Sequence, residues 1–306
     1  MSNTETRGVS LVDIPLLRRF GNKGIILNTE LKLTRDAFDG VSVSDILFPR
    51  NWHTYVSRID DHQAVGQFQY RPDENNAYLT YLAPEDESKI VQQLWLEVLD
   101  TLATEAGSRG AQHLIAEVDP NSLLFEVMRQ AGYAVYSRQS IWYEPPKEKN
   151  TVSSLTLEDA NQFDVNDIQN LMAHITPKIL QQIIMPVLDM RGLIYCKDKR
   201  IEGFIGYTEG KKGVLIRPFL HPNVMPMATE ILHSAMALIH QRNKVPLYVG
   251  FHAYQSWLTP SIKDLHLIEW ADQAIMVKHL AAGVKQPEFA TVNVKRASEA
   301  AFNLNK

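Results

Sequence analysis

The hydrophobic pattern of residues 64–143 predicts alternating strands and helices. Residues 64–70, 77–83 and 112–118 are predicted strands. The helix before the third strand is predicted from one stripe of apolar residues at helical spacing, made of Ile90, Val91, Leu94, Trp95, Val98, Leu99 and Leu102. A shorter helix around Leu124 and Met128 and a strand near Trp142 follow, so the segment reads as a sheet covered by helices.

The same order of elements returns in the second half of the chain. Residues 201–207, 213–220 and 246–251 are predicted strands, and a helix with apolar residues at helical spacing lies before the last of them. Equivalent positions in the two halves are about 135 residues apart in every element. A nearly constant offset over several elements indicates that one domain has been duplicated.

Composition along the chain predicts where the two units end. Pro145 and Pro146, followed by a charged run to Asn150, are typical of a short linker. We therefore predict an N-terminal domain at 1–146, a C-terminal domain at 150–282 and a mobile tail at 283–306. The first unit is predicted to open with a short helix after Asp13, and the second with a helix capped by Asp164 or Asn166.

Several residues near the end of the first unit carry a family resemblance. Asn121, the pair Gly132-Tyr133 and the following strand with Tyr136-Ser-Arg138 resemble the GNAT superfamily of acyl-CoA-dependent N-acyltransferases. The resemblance implies an α+β fold (a three-layer α/β sandwich) with two GNAT-like units in tandem, each a mixed, mostly antiparallel sheet flanked by helices. It also implies a pseudo-dimer in which the units pack through the C-terminal strands of their sheets.

The resemblance implies acetyl-CoA as cosubstrate, with its pyrophosphate on the turn before the central helix and its pantetheine arm between two splayed strands. The turn of the first unit, residues 83–89, has no glycine and contains three carboxylates. The turn of the second unit, residues 221–227, is not acidic but contains two prolines. The candidate cofactor-binding residues are Phe219, Leu220, His221, Asn223, Met225, Met227, Ala228 and Asn121.

The catalytic residues stay unassigned at this point. Family members often carry a Tyr acid four residues before the Gly-aromatic pair, and the equivalent positions here are Met128 and Ile262. Three tyrosines and two glutamates are alternative acids and bases: Tyr133, Tyr136, Tyr254, Glu117 and Glu126.

Two functional hypotheses therefore stay open. One is an acetyl-CoA-dependent N-acetyltransferase acting on an amine of a small molecule or protein, with the second unit as the binding unit. The other is a non-catalytic GNAT-like protein that binds a ligand or a partner protein. The acyl acceptor, the biological process and the oligomeric state do not follow from the sequence.

Net charge restricts the class of binding partner, and cysteine content indicates the redox compartment. The 306 residues carry a net charge of -4, which disfavours nucleic acid, including an aminoacyl-tRNA donor, and an anionic membrane surface. The single cysteine, Cys196, is expected to be buried in a strand, and one thiol favours a reducing compartment. No signal-like or membrane-spanning run is apparent, so a cytoplasmic protein is expected. The scattered histidines predict no metal site.

Overall fold

The computed structural model describes residues 5–21, 23–35, 51–145, 155–184, 191–242 and 244–280. The predicted linker lies mostly outside these ranges and the predicted tail at 283–306 lies entirely outside them, so the domain boundaries stay a prediction. Within the described ranges no helix is long and apolar enough to cross a membrane.

The first half contains the predicted elements in the predicted order. Its strands are β1 (Glu5–Gly8), β2 (Ile25–Ile26), β3 (Trp52–Ile59), β4 (His62–Tyr70), β5 (Asn76–Ala83), β6 (His113–Val118) and β7 (Ala134–Glu144). Its helices are α1 (Ile14–Phe20), α2 (Thr29–Thr34), α3 (Lys89–Ser108) and α4 (Leu123–Gln130). The short helix after Asp13 and the long helix with the Leu94–Trp95 stripe are both confirmed.

The second half repeats this order. Its strands are β8 (Glu158–Asp159), β9 (Gly192–Lys197), β10 (Arg200–Glu209), β11 (Val214–Leu220), β12 (Leu247–His252) and β13 (Ile268–His279). Its helices are α5 (Val165–Ile175), α6 (Lys178–Ile184), α7 (Ala228–Arg242) and α8 (Thr259–Asp264), and short 3-10 helices at Pro222–Met227 and Ala253–Leu258 precede α7 and α8. Asp164 is the N-cap of α5, as predicted.

The strands of both halves join into one sheet in which the last strands are exchanged. The order is β1-β3-β4-β5-β6-β13-β7-β12-β11-β10-β9-β8, with β2 added against β5. Strand β13, from the second half, lies between β6 and β7 of the first, and β7 pairs with β12 of the second. The expected pairing through the C-terminal strands is therefore confirmed, and each half supplies a strand to the sheet of the other.

Because of the exchange, the parallel strands of the two halves run in opposite directions. Strands β6 and β11 are four positions apart in the strand order. Successive antiparallel pairings through β13, β7 and β12, and a parallel pairing of β12 with β11, make β6 and β11 run in opposite directions. The segments that follow β6 and β11 therefore leave the sheet at opposite ends of its strands. The two strands themselves are about 19 Å apart at the usual strand spacing.

Helices cover the two faces of the sheet differently. On one face, α3 and α4 bury a core that includes Trp95, and α7 and α8 bury a second core that includes Trp142. The opposite face carries α1, α2, α5 and α6, with smaller apolar clusters beneath them. This arrangement leaves a cavity between α2 and α6 over the centre of the sheet.

The prediction that Cys196 is buried is wrong. The first residues of β9, from Gly192 to Ile194, are buried, but the strand then runs out into the hairpin at Asp198 and Lys199. Cys196 lies in this emerging end and its side chain is exposed. The apolar run before it buries the start of the strand and does not extend to the thiol.

Candidate functional site

Both halves contain a pair of parallel strands that separate part-way along their length. Strand β5 pairs with β6 only from Asn76 to Tyr78. Strand β11 pairs with β12 only from Val214 to Ile216. Beyond these residues the strands part and leave a gap, which corresponds to the position that the GNAT resemblance gives to a pantetheine arm.

The gap of the first half is filled by the chain itself. Strand β2 pairs with β5, placing Ile26 opposite Tyr81. The amide of Leu27 then donates to the Thr80 carbonyl across 3.0 Å, and the amide of Glu117 on β6 donates to the Leu27 carbonyl across 2.9 Å. Backbone groups on both edges of the gap are thus satisfied by residues 25–27.

Close packing holds this inserted segment in place. The side chain of Leu27 is 1% exposed and belongs to the core under α3. A Cβ atom at Gly24 would lie 2.7 Å from the Leu82 carbonyl oxygen and would also collide with the Tyr81 ring. The amide of Glu85 donates to the Lys23 carbonyl across 2.8 Å. The insertion therefore extends along β5 to the start of the turn before α3.

The turn of the first half also has an unfavourable charge for a polyanion. Glu85, Asp86 and Glu87 are exposed directly before α3. The amide of Ser88 donates to the Asp86 carboxylate across 2.9 Å. Carboxylates at a helix start stabilise the helix but repel a pyrophosphate. In the first half, therefore, backbone occupies the gap and the turn before α3 is acidic.

The gap of the second half is bridged by a side chain instead of a strand. The amide nitrogen of Gln255 donates to the Pro218 carbonyl across 2.6 Å, and Gln255 is 2% exposed. Among the described residues no backbone segment pairs with β11 on its β12 side beyond Ile216. A side chain can rotate away from a carbonyl more readily than a paired strand can leave a sheet. The second gap can therefore open to a ligand more easily than the first.

Seven of the candidate cofactor residues lie together at the end of β11. Phe219 and Leu220 are buried in the strand, and Ala228 is buried at the start of α7. Between them, Asn223 and Met225 are exposed on the 3-10 helix, while His221 and Met227 are half-buried. Their part in binding acyl-CoA stays a prediction.

Several amides of this turn and of its junction with α7 already have partners. His221 Nδ1 accepts from the Asn223 amide across 3.2 Å and lies 3.3 Å from Oε2 of Glu202. The Val224 amide donates to the His221 carbonyl, and the Ala228 amide donates to Met225. Pro222 and Pro226 have no amide hydrogen. A pyrophosphate at this turn would therefore depend on few backbone donors.

The eighth candidate, Asn121, is not brought to the same place. It lies on the exposed turn between β6 and α4, where its amide donates to Asp119 across 2.8 Å. Because β6 and β11 run in opposite directions, Asn121 and the turn at 221–227 lie at opposite ends of the strands.

The family Tyr positions are apolar and buried. Met128 and Ile262 are each 0% exposed in the cores beneath the helices. Of the alternative acids, Tyr133 is buried without a hydrogen-bond partner for its hydroxyl, and burial raises its pKa strongly. Tyr136 bonds with His279, and Tyr254 stacks on His252. None of these three lines the central cavity, which leaves the acid unassigned.

The two candidate bases are in different surroundings. Glu126 is exposed on α4, with its nearest cation, Arg129, 4.0 Å away. Glu117 lines the central cavity and its Oε2 accepts from the amide of Thr29. The structure thus distinguishes a surface carboxylate from one that faces an enclosed site.

The central cavity has a volume of about 590 Å³, which lies within the range of small-molecule sites. Both halves contribute to its wall. From the first half come Asn28, Glu30, Leu31, Gln69, Tyr70, Arg71, Glu74, Tyr78, Ile115 and Glu117. From the second come Ile183, Arg191, Tyr207, Thr208, Glu209, Arg217, Phe219, His252 and Ile275. Three of these, Arg217, Phe219 and His252, lie where β11 and β12 separate, so the cavity adjoins the second gap.

A chain of polar side chains runs beneath the cavity. Gln273 Oε1 accepts from Thr29 Oγ1 and from Gln139 Nε2, the latter across 2.9 Å. Arg217 then approaches Gln139 at 3.4 Å and Glu117 at 3.9 Å. Side chains from five different elements, all distant in sequence, therefore form one polar layer at the centre of the sheet.

His252 is the most enclosed titratable group at the cavity. It is 4% exposed, and its Nδ1 is buried without a hydrogen-bond partner in the described part of the chain. Burial, with a smaller effect of the Arg217 charge, lowers its pKa to about 3. The imidazole is therefore neutral near pH 7 and carries one N–H donor.

Sequence reasoning did not identify His252, Arg217 or Gln255. Each lies in an otherwise ordinary strand or short helix, without a motif around it. The available signal was polarity within apolar strands: Arg217 interrupts β11 and His252 ends β12. Their convergence depends on the pairing of β11 with β12, which a local pattern does not specify.

A metal centre was not expected, and the described side chains form no group of three or more His, Cys, Asp or Glu that could hold a metal ion.

Comparison with known proteins identifies the fold. No protein-family model matches the chain, and no curated protein sequence is similar to it. The structure is similar to a tandem GNAT protein from the clavulanic acid biosynthesis pathway, with a TM-score of 0.52 and 10% identity, covering 93% of this chain and 100% of that chain. It is also similar to a GCN5-related N-acetyltransferase from Sphaerobacter thermophilus, with a TM-score of 0.52 and 12% identity, covering 90% of this chain and 95% of that chain. At such identities the likeness shows the fold alone: the chain has the tandem GNAT fold.

Proposed function

We propose that this chain transfers an acyl group from acyl-CoA to an amine, and that only its second half binds the acyl-CoA. The tandem GNAT fold supports the reaction class. The difference between the two gaps supports the choice of half: backbone of residues 25–27 fills the first, whereas the Gln255 side chain bridges the second. That difference is the observation that carries the proposal.

In this reaction the amine nitrogen forms a bond to the acyl carbon and the carbon–sulfur bond of the thioester breaks. The amine loses a proton, and the departing thiolate of CoA gains one. Glu117 is the group we propose as proton acceptor, because it is the predicted base that lines the cavity beside the second gap. The acyl carbon would approach the cavity between Arg217 and His252, where β11 and β12 part.

Specific features also favour a second function, that of a non-catalytic binding protein. Three amides of the turn at 221–227 and its junction with α7 are engaged internally, and two of its residues are prolines. The family Tyr positions are buried Met128 and Ile262. In this alternative the central cavity binds a ligand and no acyl group is transferred.

Calorimetric titration with acetyl-CoA and with CoA at low salt distinguishes the two functions. The proposal predicts one site per chain. Asn223→Asp adds a negative charge to the second turn without changing side-chain size and should abolish binding. Ser88→Asp adds the same charge at the start of α3 and should leave binding unchanged.

Other results of the titration would contradict the proposal in distinguishable ways. Two sites per chain, or loss of binding in Ser88→Asp alone, would contradict the assignment to the second half. An absence of heat and of any thermal shift at millimolar ligand would exclude acyl transfer from CoA and favour the binding protein. Asn121→Ala should not change affinity, because Asn121 lies at the opposite end of the strands from the second turn.

A further inference from the structure

The central cavity contains charged groups of two kinds, at its rim and on its floor. At the rim, Arg71 pairs with Glu74 at 3.3 Å and Arg191 lies 4.0 Å from Glu209. These pairs connect neighbouring residues of the same half and largely neutralise one another. The rim therefore discriminates weakly between ligands of different charge. The charged groups on the floor of the cavity determine which ligand binds.

On the floor, one cation and one anion face each other without forming a close ion pair. Arg217 NH2 lies 3.9 Å from Glu117 Oε1, which exceeds hydrogen-bond distance. The other contact of Arg217 is the 3.4 Å approach to Gln139. Both side chains are largely buried, at 17% and 15% exposure. A guanidinium enclosed this far is normally satisfied by shorter, bidentate bonds, so Arg217 retains donors for a ligand.

His252 adds a ring nitrogen without a partner beside Arg217. The ring is enclosed, and its Nδ1 has no hydrogen-bond partner among the described residues. Buried polar groups in folded proteins are almost always hydrogen-bonded, so an orphaned imidazole that lines a cavity indicates a missing partner. A neutral imidazole N–H and a guanidinium next to each other are suited to a carboxylate.

The remaining wall near this floor is apolar. Ile115, Ile183 and Ile275 form one cluster at the cavity, and Phe219 lines it from β11. Leu31 of α2 adds a further apolar side chain. A ligand with a hydrocarbon portion would bury that portion here and gain the corresponding hydrophobic free energy.

We infer that the central cavity binds an α-amino acid with an apolar side chain, whose carboxylate is held by Arg217 and His252 and whose ammonium is held by Glu117. A simple anion would have Glu117 and Glu30 as unfavourable neighbours, and a simple cation would have Arg217. A zwitterion matches the adjacent positive and negative groups at once. Its role as the acyl acceptor rests on the proposed function; its binding does not.

The test compares L-leucine with two analogues that each lack one charged group. 4-Methylpentanoate keeps the carboxylate and the hydrocarbon chain, and 3-methylbutylamine keeps the amine and the chain. Each is titrated calorimetrically into the full chain without CoA. L-Leucine should bind, and each analogue should bind roughly tenfold or more weakly, because each forfeits charge-assisted hydrogen bonds.

Variants test which residue binds the carboxylate of the ligand and which binds its ammonium. Arg217→Met should abolish binding of L-leucine and of 4-methylpentanoate, and Arg217→Lys should weaken both because the bidentate geometry is lost. Glu117→Gln keeps an acceptor for the Thr29 amide but should weaken binding of L-leucine and of 3-methylbutylamine, and should leave 4-methylpentanoate unchanged. Arg200→Met, at an exposed site on β10, is the matched control and should change nothing. The thermal midpoint of each variant without ligand establishes that it folds.

The outcomes separate this inference from the proposed function. If L-leucine and L-phenylalanine do not bind the wild-type chain while acetyl-CoA does, the amino-acid site is excluded and acyl transfer to another amine stands. If an analogue binds as well as L-leucine, a zwitterion is excluded as the ligand. If L-leucine binds but is not acylated in the presence of bound acetyl-CoA, only its acceptor role is excluded.

Discussion

Gln139 and Gln273 lie directly opposite each other on β7 and β13, and Nε2 of Gln139 donates to Oε1 of Gln273 across 2.9 Å. The two residues are 134 positions apart, close to the offset between the halves. The contact therefore joins two equivalent positions of the repeat and marks the centre of its approximate two-fold symmetry. It is the point at which the exchanged strands meet, below the central cavity.

Replacing Gln273 with Leu should destabilise the protein. Gln273 Oε1 accepts from both Gln139 and Thr29, so the change leaves two buried donors without an acceptor. We expect a loss of about 2–5 kcal/mol in the free energy of unfolding, measured by urea denaturation. The double variant Gln139→Leu/Gln273→Leu should lose less than the sum of the single variants, since their shared bond is removed only once. Strict additivity would contradict the pairing.

Gly24→Ala should loosen the segment that fills the first gap. A Cβ atom at Gly24 meets the Leu82 carbonyl oxygen at 2.7 Å, so β2 must shift away from β5. We expect a loss of about 1–3 kcal/mol in unfolding free energy and faster amide hydrogen exchange at Leu27. Gly8→Ala is the control, because a Cβ there meets only Tyr55 at 4.0 Å. Equal effects at Gly8 and Gly24 would argue against the inserted segment.

His252→Phe should change how stability depends on pH. Burial lowers the pKa of His252 to about 3, so below pH 6.5 the unfolded chain takes up a proton at this residue that the folded chain does not. The free energy of unfolding consequently falls as pH decreases from 6.5 toward 3, by at most about 1.4 kcal/mol per pH unit. The variant lacks this contribution, so its stability relative to wild type should rise as pH decreases. Parallel curves for both proteins would contradict the burial of His252.

Cys196 should react with alkylating reagents in the folded protein. Its thiol is exposed at the end of β9. Local desolvation, with the nearby charges of Glu158 and Asp164, raises its pKa, so the reactive thiolate is scarcer than for a free cysteine. Iodoacetamide should modify the native chain completely, yet more slowly at pH 8 than it modifies an unstructured peptide. Cys196→Ser should show no modification, and labelling that requires denaturant would contradict the exposure.

Much of the fold follows from local pattern. The stripe around Leu94 and Trp95 predicted α3, and Asp13 before Ile14-Pro15 predicted α1, because helical periodicity and capping are short-range properties. The repeated order of elements predicted the duplication. The exposure of Cys196 could not be read in this way, since it depends on where β9 leaves the sheet.

The candidate site was predictable only in part. The turn at 221–227 was located correctly between β11 and α7, because a strand–turn–helix order is visible in the sequence. Asn121 was a candidate because it matches the Asn of the GNAT pattern in the first half, and the structure places it at the opposite end of the strands from this turn. Leu27 in the first gap and Gln255 in the second were not anticipated, because each fills a space that exists only once two strands have paired and parted.

By itself, the sequence determined the elements, their order and their duplication, since these depend on periodicity, capping and turn residues within short windows. Only the tertiary structure decided which strands pair across the centre, what fills each gap, and that Arg217, Glu117 and His252 face one cavity. The physical reason is that β13 pairs with β6 and β7, strands more than 120 residues away in the sequence. Neither this long-range pairing nor the polar contact between Gln139 and Gln273 is encoded in any single segment.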